Sequence, residues 1–554
     1  MKLSSVRARA AGAAVLCAAA LGAVRQQVAP AAAACPFVPV ALGGGTGADT
    51  LAPPPIAREF RAAWVSPVEG GEWPSAPDLD DASQQEELVS LFDRAQQVGL
   101  NAVILHVRPA ADAMYPTARA PWSSYFIPNG DQPGYDPLAF AVEEAHRRGL
   151  QLHAWVNPFR AAPPEPRREA VGAAAIAASH PDWVVRYGSQ RWIDPGDPAA
   201  RQAVLDAVLE VVYRYDVDAV HLDDYFYPYL EDRTTTRRVR VGRRRYRTVR
   251  ETETIAFPDA RTWERYGVAA GWRDRGDWRR ENVSSFVHAL YDSVKAHKPW
   301  VAVGISPFGI WRPGYPSGVT GLDAYREIFA DSRRWWREGW VDYLAPQLYW
   351  RSDGEQLRNQ RLDAWWRSEN VRGRHLWPGM LTMRVASGAN RWPASEIERQ
   401  IGALRSARAG SGESQGHVHF RLKSLLENAP GGLGDRLAAT MYATPAVPPA
   451  SPWLGADQPG APQVASCGDG ASPAAALAAT GPGRTRWWFV QWRDAAGRWT
   501  ARTLPAAVGA VPLFYGDGTR PTAVAVRAVS PTGVEGAPLV LAPPAPNAVG
   551  AATP

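Results

Sequence analysis

The stretch Val217-Asp218-Ala219-Val220-His221-Leu222-Asp223-Asp224-Tyr225-Phe226-Tyr227-Pro228 decides the fold. It opens as an apolar run, the pattern of a strand buried on both faces of a parallel sheet. It then delivers two adjacent carboxylates and three aromatic rings into a loop closed by Pro228. Ionised carboxylates are costly to bury, so a strand ending in a pair of them presents them at a site. Aromatic rings beside acids suit a sugar, whose apolar ring faces stack while its hydroxyls bind the acids. The blander reading, one helix-capping Asp and one surface Asp, is weaker, because the same strand-then-polar-loop design recurs along the chain.

Working outward, strand-like segments lie at 60–65, 102–108, 150–157, 301–306, 341–349, 376–383 and 417–421. Helical patterns at 79–98, 137–148, 198–215, 279–297, 325–338, 357–368 and 394–409 separate them. Gly99 and Gly149 stand where helices should stop, and Asp197-Pro198 where one should start. Strands alternating with helices give an α/β class, and eight such units specify a (β/α)₈ TIM barrel over 56–445. Residues 446–484, rich in Pro, Ala and Gly, read as a linker, although Met441-Tyr442 and Trp453-Leu454 could pack back on the barrel. Short alternating runs over 485–541 suggest a fibronectin type III-like β-sandwich, and 542–554 reads as a disordered tail.

Residues 1–34 have the basic start, apolar core and small-residue end of a secretory signal, so the protein is expected to be exported to the periplasm or cell envelope. Cys35 follows as a candidate lipid attachment point, the one route to membrane contact, or as a disulfide partner for Cys467. The net charge of +6 comes largely from two places. Without the four basic residues of 1–34 it is +2, and without the nine Arg of 233–250 it is −7. Such a local patch is not a nucleic-acid-binding surface. The patch resembles a hairpin around Gly242, with Val239 and Val241 against Tyr246 and Val249. It reads as a clamp for an anionic polymer or as a solvated insertion.

Catalytic groups of a barrel sit at the carboxyl ends of its strands, and side chains alternate along each strand. Val220 and Leu222 should therefore face the helices, and Ala219, His221, Asp223 and Tyr225 the barrel mouth. Asp223 is the first catalytic candidate, with Asp224 beside it. His106, Arg108 and Asp112 follow the second strand; Trp155, Asn157 and Arg160 the third; Ser306 and Trp311 the fifth; Gln347, Tyr349 and Trp350 the sixth. Glycoside hydrolysis usually needs two carboxylates. The second here is Asp224, Asp112, Glu69 or Glu72, or it is replaced by an N-acetyl group of the substrate acting as nucleophile. In that case Tyr349 with Asn157 or Gln347 would hold the acetamide. The catalytic set is Asp223 and Asp224. The substrate-binding set is His106, Arg108, Asp112, Trp155, Asn157, His221, Tyr225, Trp311, Gln347, Tyr349 and Trp350. No metal or cofactor is expected, since no metal-ligand cysteine pattern, Gly-rich phosphate loop, HExxH or Ser-elbow pattern is present.

Several of these stretches resemble the bacterial glycosyl hydrolase-like 10 family. They include Arg61-Ala62-Ala63-Trp64-Val65, Val107-Arg108-Pro109, His153-Ala154-Trp155-Val156-Asn157-Pro158-Phe159-Arg160, His221 to Pro228, Ile305-Ser306-Pro307-Phe308-Gly309-Ile310-Trp311 and Pro346-Gln347-Leu348-Tyr349-Trp350. The resemblance spans about residues 58 to 445 in order. It implies a (β/α)₈ barrel, an exported protein, and hydrolysis of cell-wall glycan, foremost peptidoglycan strands lacking stem peptides. The muramyl lactate of that polymer is anionic, and Arg108 or the 233–250 patch would pair with it. The alternatives are an α-glucan or exopolysaccharide hydrolase, and a non-catalytic envelope glycan-binding protein. The Arg-rich insertion and the eighth strand, His417-Val418-His419-Phe420-Arg421, depart from the family pattern.

Overall fold

The computed structural model describes residues 37–40, 51–68, 71–127, 132–162, 171–240, 245–354, 358–386, 391–426, 432–467 and 474–543. The expected signal segment, Cys35, Glu69, Gly242 and residues 544–554 of the expected tail lie outside them.

A nine-stranded parallel sheet organises the larger part of the chain. Strands Phe60–Val65, Ala102–Arg108, Gln151–Val156, Ala219–Leu222, Ala302–Ile305 and Tyr343–Leu344 pair in that sequence. The two ends of the sheet come from one segment. His375–Leu376 pairs with the sixth strand, whereas Gly379–Met380 pairs with Gly416–His419, which pairs back on Phe60–Val65. Trp377-Pro378 interrupts this seventh strand, because proline offers no N–H to the ladder. All eight expected strands are thus present, the seventh in two pieces, and the sheet curls round on itself.

Side-chain alternation divides the core in two. Val220 and Leu222 lie with the helices in the outer layer, fully buried, each worth roughly 1.5–3 kcal/mol of burial. Phe60, Ala62, Trp64, Ala219, Tyr343 and Trp377 fill the interior. That interior is polar as well as apolar. The indole N–H of Trp64 donates to Nε2 of His221 at 3.1 Å. An indole nitrogen only donates, so Nε2 is the acceptor and the neutral His221 ring carries its proton on Nδ1, which donates to the Tyr343 hydroxyl oxygen at 2.8 Å. The Tyr343 hydroxyl then donates to Nδ1 of His153 at 2.9 Å. His417 and His419, the departures on the eighth strand, both bind the Tyr442 hydroxyl, so Tyr442 packs back as expected.

Most helices lie within a few residues of the expected bounds, the one expected over 279–297 beginning earlier, at Arg275. Asp80 caps Asp81–Val98, which ends at Gly99 with φ +95°. Asp136 and Asp197 cap helices that open on Pro137 and Pro198. The helix expected over 325–338 is two, Ala324–Glu327 and Ser332–Glu338. Phe329 sits at φ +53° between them, and Asp331 caps the second. Two insertions rise above the carboxyl ends of strands three and four: an antiparallel sheet of Arg160–Ala162, Gln190–Ile193 and Val184–Tyr187, and a hairpin of Asp232–Arg240 with Tyr246–Thr254.

The C-terminal part has two antiparallel sheets sharing one core. Trp487–Arg493, Trp499–Pro505, Ala523–Val529, Leu539–Ala542 and Val38–Pro39 form the larger; Gln463–Cys467, Ala474–Ala478 and Ala510–Pro512 form the smaller. The linker reading of 446–484 is therefore corrected. Ala446–Val447 pairs with Ala57–Arg58, and two strands of the smaller sheet lie inside that stretch. Their apolar content is mostly alanine, so the alternation of Val464, Ala475 and Leu477 toward the core is faint in sequence. The tail reading is shortened too, since 542 closes a strand. Cys467 is disulfide-bonded; Cys35, its expected partner, lies outside the described residues. Arg486 ties the two parts together through Asp216 and Asp218. Among the described residues no helix is long and apolar enough to cross a membrane.

Candidate active site

A cleft of about 320 Å³ opens at the carboxyl ends of the strands, at the lower end of the range for ligand pockets. Asp223 and Asp224 share its floor. Asp223 directly follows strand four, half-buried with an edge open to the cleft. Its Oδ1 accepts the backbone N–H of Asp224 at 3.0 Å and Nε2 of Gln347 at 3.2 Å. Gln347 also donates to the Ser306 carbonyl at 3.1 Å, which fixes the amide between the fifth and sixth strand ends. Asp224 is buried and receives the Tyr229 hydroxyl on Oδ2. The two carboxyls are hydrogen-bonded to each other.

Burial, reinforced by the charge of Asp224, pushes the Asp223 carboxyl well above the usual carboxylate range. Burial also raises Asp224, opposed by hydrogen bonds from Asp223 and Tyr229. Two touching carboxylates titrate as a pair, and one proton is held between them to a higher pH than an isolated acid would allow. Arg160 is the nearby cation acting against that shift; its guanidinium lies 4.3 Å from the Tyr225 ring centroid.

Aromatic walls surround the dyad. Trp155 stacks on His106 at 3.8 Å and 7°, and Tyr349 lies 5.6 Å from Phe420. His106, Trp155, Tyr225, Gln347 and Tyr349 thus line the cleft as expected, with Arg160 and Ser306.

The other expected binding residues do not line it. Arg108 is buried and donates to the Tyr115 hydroxyl at 3.1 Å. Asp112, also buried, accepts the Ala110 N–H at 3.0 Å and a Ser123 bond, holding its own loop. Asn157 lies behind the wall, accepting from Trp155 at 3.2 Å and donating to the Tyr225 hydroxyl at 3.1 Å; it positions both rings. His221 lies beneath the floor, bound to Trp64 and Ser306. Trp311 donates to Asp331 at 3.1 Å, and Trp350 packs beside Phe308 and Arg358. The shared error is one of depth. A polar residue near a strand end can turn into its own loop, and alternation does not say where the floor lies. Glu72, a candidate second acid, accepts the N–H groups of Ser66 at 3.1 Å and Lys423 at 2.5 Å. It ties the first loop to the eighth strand's loop, away from the dyad, and burial pushes it up to about 7. Asp223 and Asp224 are the only carboxylates lining the cleft among the described residues.

Trp64, Ser66, Val68, Tyr229, Phe420 and Arg421 also line the cleft, and sequence reasoning did not assign them to the site. Trp64 had a readable signal, since it continues the inward series of Phe60 and Ala62. A larger groove, about 930 Å³, opens at the amino ends of the strands, the face of such sheets that serves stability. Its acids Glu413 and Glu535 pair with Arg367 and Arg58. Among the described residues no group of three or more His, Cys, Asp or Glu could hold a metal ion.

Comparison with known proteins assigns a family to this geometry. Residues 59–394 match the glycosyl hydrolase-like 10 family. The chain is 38% identical over 417 residues to the glycosyl hydrolase YngK of Bacillus subtilis (strain 168), covering 74% of this chain and 76% of that protein. It is 32% identical over 330 residues to the glycosyl hydrolase DigH of Escherichia coli (strain K12), covering 56% of this chain and 70% of that protein. Among solved structures it is similar to the PgaB (BpsB) glycoside hydrolase domain from Bordetella bronchiseptica, with a TM-score of 0.43 and 15% identity over 69% of this chain and 98% of that one. It is also similar to the catalytic domain of a Paenibacillus polymyxa β-amylase, with a TM-score of 0.44 and 12% identity over 70% of this chain and 99% of that one.

Proposed function

The chain belongs to the glycosyl hydrolase-like 10 family and is a glycoside hydrolase, and we propose that it cleaves 2-acetamido glycan of the bacterial cell wall, foremost peptidoglycan strands lacking stem peptides, by substrate-assisted catalysis. One observation carries this reading: the carboxylates lining the cleft among the described residues are two touching neighbours, Asp223 and Asp224. A covalent nucleophile and its acid partner stand about 5–5.5 Å apart, and an inverting pair about 6.5–9.5 Å. Two carboxyls in direct contact fit neither spacing. They fit a mechanism in which the substrate's own acetamide oxygen attacks the anomeric carbon.

In this mechanism the dyad begins with one proton, seated on Asp223, whose carboxyl is pushed furthest up. That proton passes to the leaving oxygen. The acetamide oxygen closes on the anomeric carbon, forming a bicyclic oxazolinium, and the ionised Asp224 balances the charge that develops at the acetamide N–H. Water then opens the ring, returning a proton to Asp223. The hydroxyl of Tyr349 lines the same cleft and would donate to the acetamide carbonyl, while Gln347, whose N–H groups go to Asp223 and the Ser306 carbonyl, would hold the dyad in place and Trp155 and Trp64 would stack on sugar faces. An α-glucan has no acetamide, which disfavours that alternative.

Peptidoglycan and chitin-like polymers both carry the acetamide. Arg160, in the cleft, favours a sugar bearing a lactyl carboxylate. The chemistry also agrees with an exported enzyme on a (β/α)₈ barrel carrying a fibronectin type III-like module, because a disulfide at Cys467 suits an oxidising compartment. The test is a series of aryl glycosides bearing N-acetyl, N-fluoroacetyl, N-difluoroacetyl and N-trifluoroacetyl groups. Substrate assistance requires kcat to fall steeply with each fluorine. A flat series would exclude it.

A further inference from the structure

The hairpin Asp232–Arg240 with Tyr246–Thr254 serves neither the core nor the dyad, and apart from half-buried Val239 and Val249 its described residues are exposed. Its register sorts its charges onto two unlike faces. Arg240 opposes Tyr246, Arg238 opposes Thr248, Thr236 opposes Arg250 and Thr234 opposes Thr252, so these eight side chains share one face. With the root pair Asp232 and Thr254 the face carries three guanidinium groups, five threonine hydroxyls and one phenol, and its one acid, Asp232, accepts from Thr254 at 2.6 Å. The opposite face mixes its signs: Arg233 pairs with Glu253 and Arg237 with Glu251 at 2.8 Å, while Arg247 stands across from Val239.

We propose that the acid-poor face, with Arg238, Arg240 and Arg250, is a carboxylate-binding rail for an anionic glycan strand leaving the cleft. The hairpin begins three residues after Tyr229, which lines the cleft, and Glu231 anchors its root by accepting the Ser189 N–H at 3.1 Å and the Gln190 amide at 2.7 Å. The hairpin is therefore rooted at the edge of the cleft. The three arginines stand at successive levels about 6.8 Å apart along the hairpin, and a guanidinium matches a carboxylate in a two-point fork. Arg238 also covers the Tyr246 ring at 5.2 Å, leaving an aromatic edge and the threonine hydroxyls for sugar. No large aliphatic side chain stands on this face to enter a bilayer. The rail deepens the proposed function and rests on it. A glycan strand exposes free lactyl carboxylates only where its stem peptides have been removed, so the rail would select such strands.

The test uses the full chain in an Asp223→Asn background, with retention measured on immobilised amidase-stripped strands and on the same strands with their carboxyls converted to methylamides. The Arg238→Gln/Arg240→Gln/Arg250→Gln variant is compared with Arg245→Gln/Arg247→Gln on the other face. The rail requires the triple variant to bind stripped strands about tenfold more weakly, the double variant to bind nearly as the parent does, and preference over the methylamide form to vanish only in the triple variant. Unchanged binding by the triple variant, or equal loss in both variants, would overturn it. So would loss of binding to anionic phosphatidylglycerol vesicles or to single-stranded DNA with glycan binding intact. Hydrolysis by the wild-type chain is read separately. Absence of fragments alongside rail-dependent binding would sink the proposed function while supporting the rail.

Discussion

The amide nitrogen of Gln347 lies 3.2 Å from Oδ1 of Asp223, and the same amide is held by the Ser306 carbonyl. The sixth strand end thus reaches across the cleft to set one oxygen of a dyad made by the fourth. Because an amide N–H favours an ionised acceptor, Gln347 opposes the burial that drives the dyad upward, lowering the Asp224 carboxyl against it. Replacing Gln347 by Ala should move the alkaline limb of the kcat/KM profile to higher pH and lower kcat on the order of 10- to 100-fold. An unchanged limb would show that Gln347 does not touch the working carboxyl.

Asp223→Asn should reduce kcat by about 100- to 10,000-fold and raise Tm at pH 8. The sign follows from the upward shift. A carboxyl whose folded pKa exceeds its ordinary value of 3.8 binds more protons folded than unfolded, so its contribution is fully present below 3.8 and is lost as pH rises through the folded value. Asparagine removes that loss. Calorimetry at pH 5 and pH 8 should therefore show the variant gaining on the wild type at the higher pH; a variant less stable at both would contradict a buried, reluctantly ionised Asp223.

Glu72 makes the same argument away from catalysis. Its carboxyl is raised from 4.5 to about 7, chiefly by burial. The stability it contributes is complete below pH 4.5 and lost as pH rises through about 7. The wild-type Tm should decline over that window, and Glu72→Gln, which keeps an acceptor for only one of the Ser66 and Lys423 N–H groups and so lowers Tm throughout, should flatten the decline. An equal slope in both proteins would remove Glu72 as its source.

Arg486 is the clearest single tie between the barrel part and the C-terminal sheets. Burial alone would raise the Asp218 carboxyl, but the charges of Arg486 and His146 hold it well below the usual range. Arg486→Gln leaves Asp218 buried with less compensation, a change that costs about 3–5 kcal/mol in comparable pairs. Urea unfolding should show that loss. A change within experimental error would mean that the interface is held by its apolar contacts, such as Trp487 against His146 at 5.5 Å.

Strand four and its carboxylates are legible because alternation holds along it: Val220 and Leu222 outward, Ala219 inward. The dyad follows where the strand ends. Arg108 and Asp112 are misread because their loop turns inward, where Tyr115 and the Ala110 N–H satisfy them. Tyr229 and Phe420 are hidden for a different reason. Each reaches the cleft from beyond its strand, where period-2 reasoning no longer applies. The strands within 446–484 escape notice because alanine marks no face strongly. The hairpin is legible in kind, but its two unlike faces depend on a register that pairs Val239 with Arg247 rather than with Tyr246 or Val249.

The most direct measurement is to incubate the purified protein and its Asp223→Asn variant with intact sacculi and with amidase-stripped glycan strands, reading products by mass spectrometry. Hydrolysis by the Asp223–Asp224 dyad requires fragments with new reducing ends from stripped strands, few or none from intact sacculi, and none from the variant. Fragments released equally by the variant, or no fragments from any acetamido glycan, would contradict it.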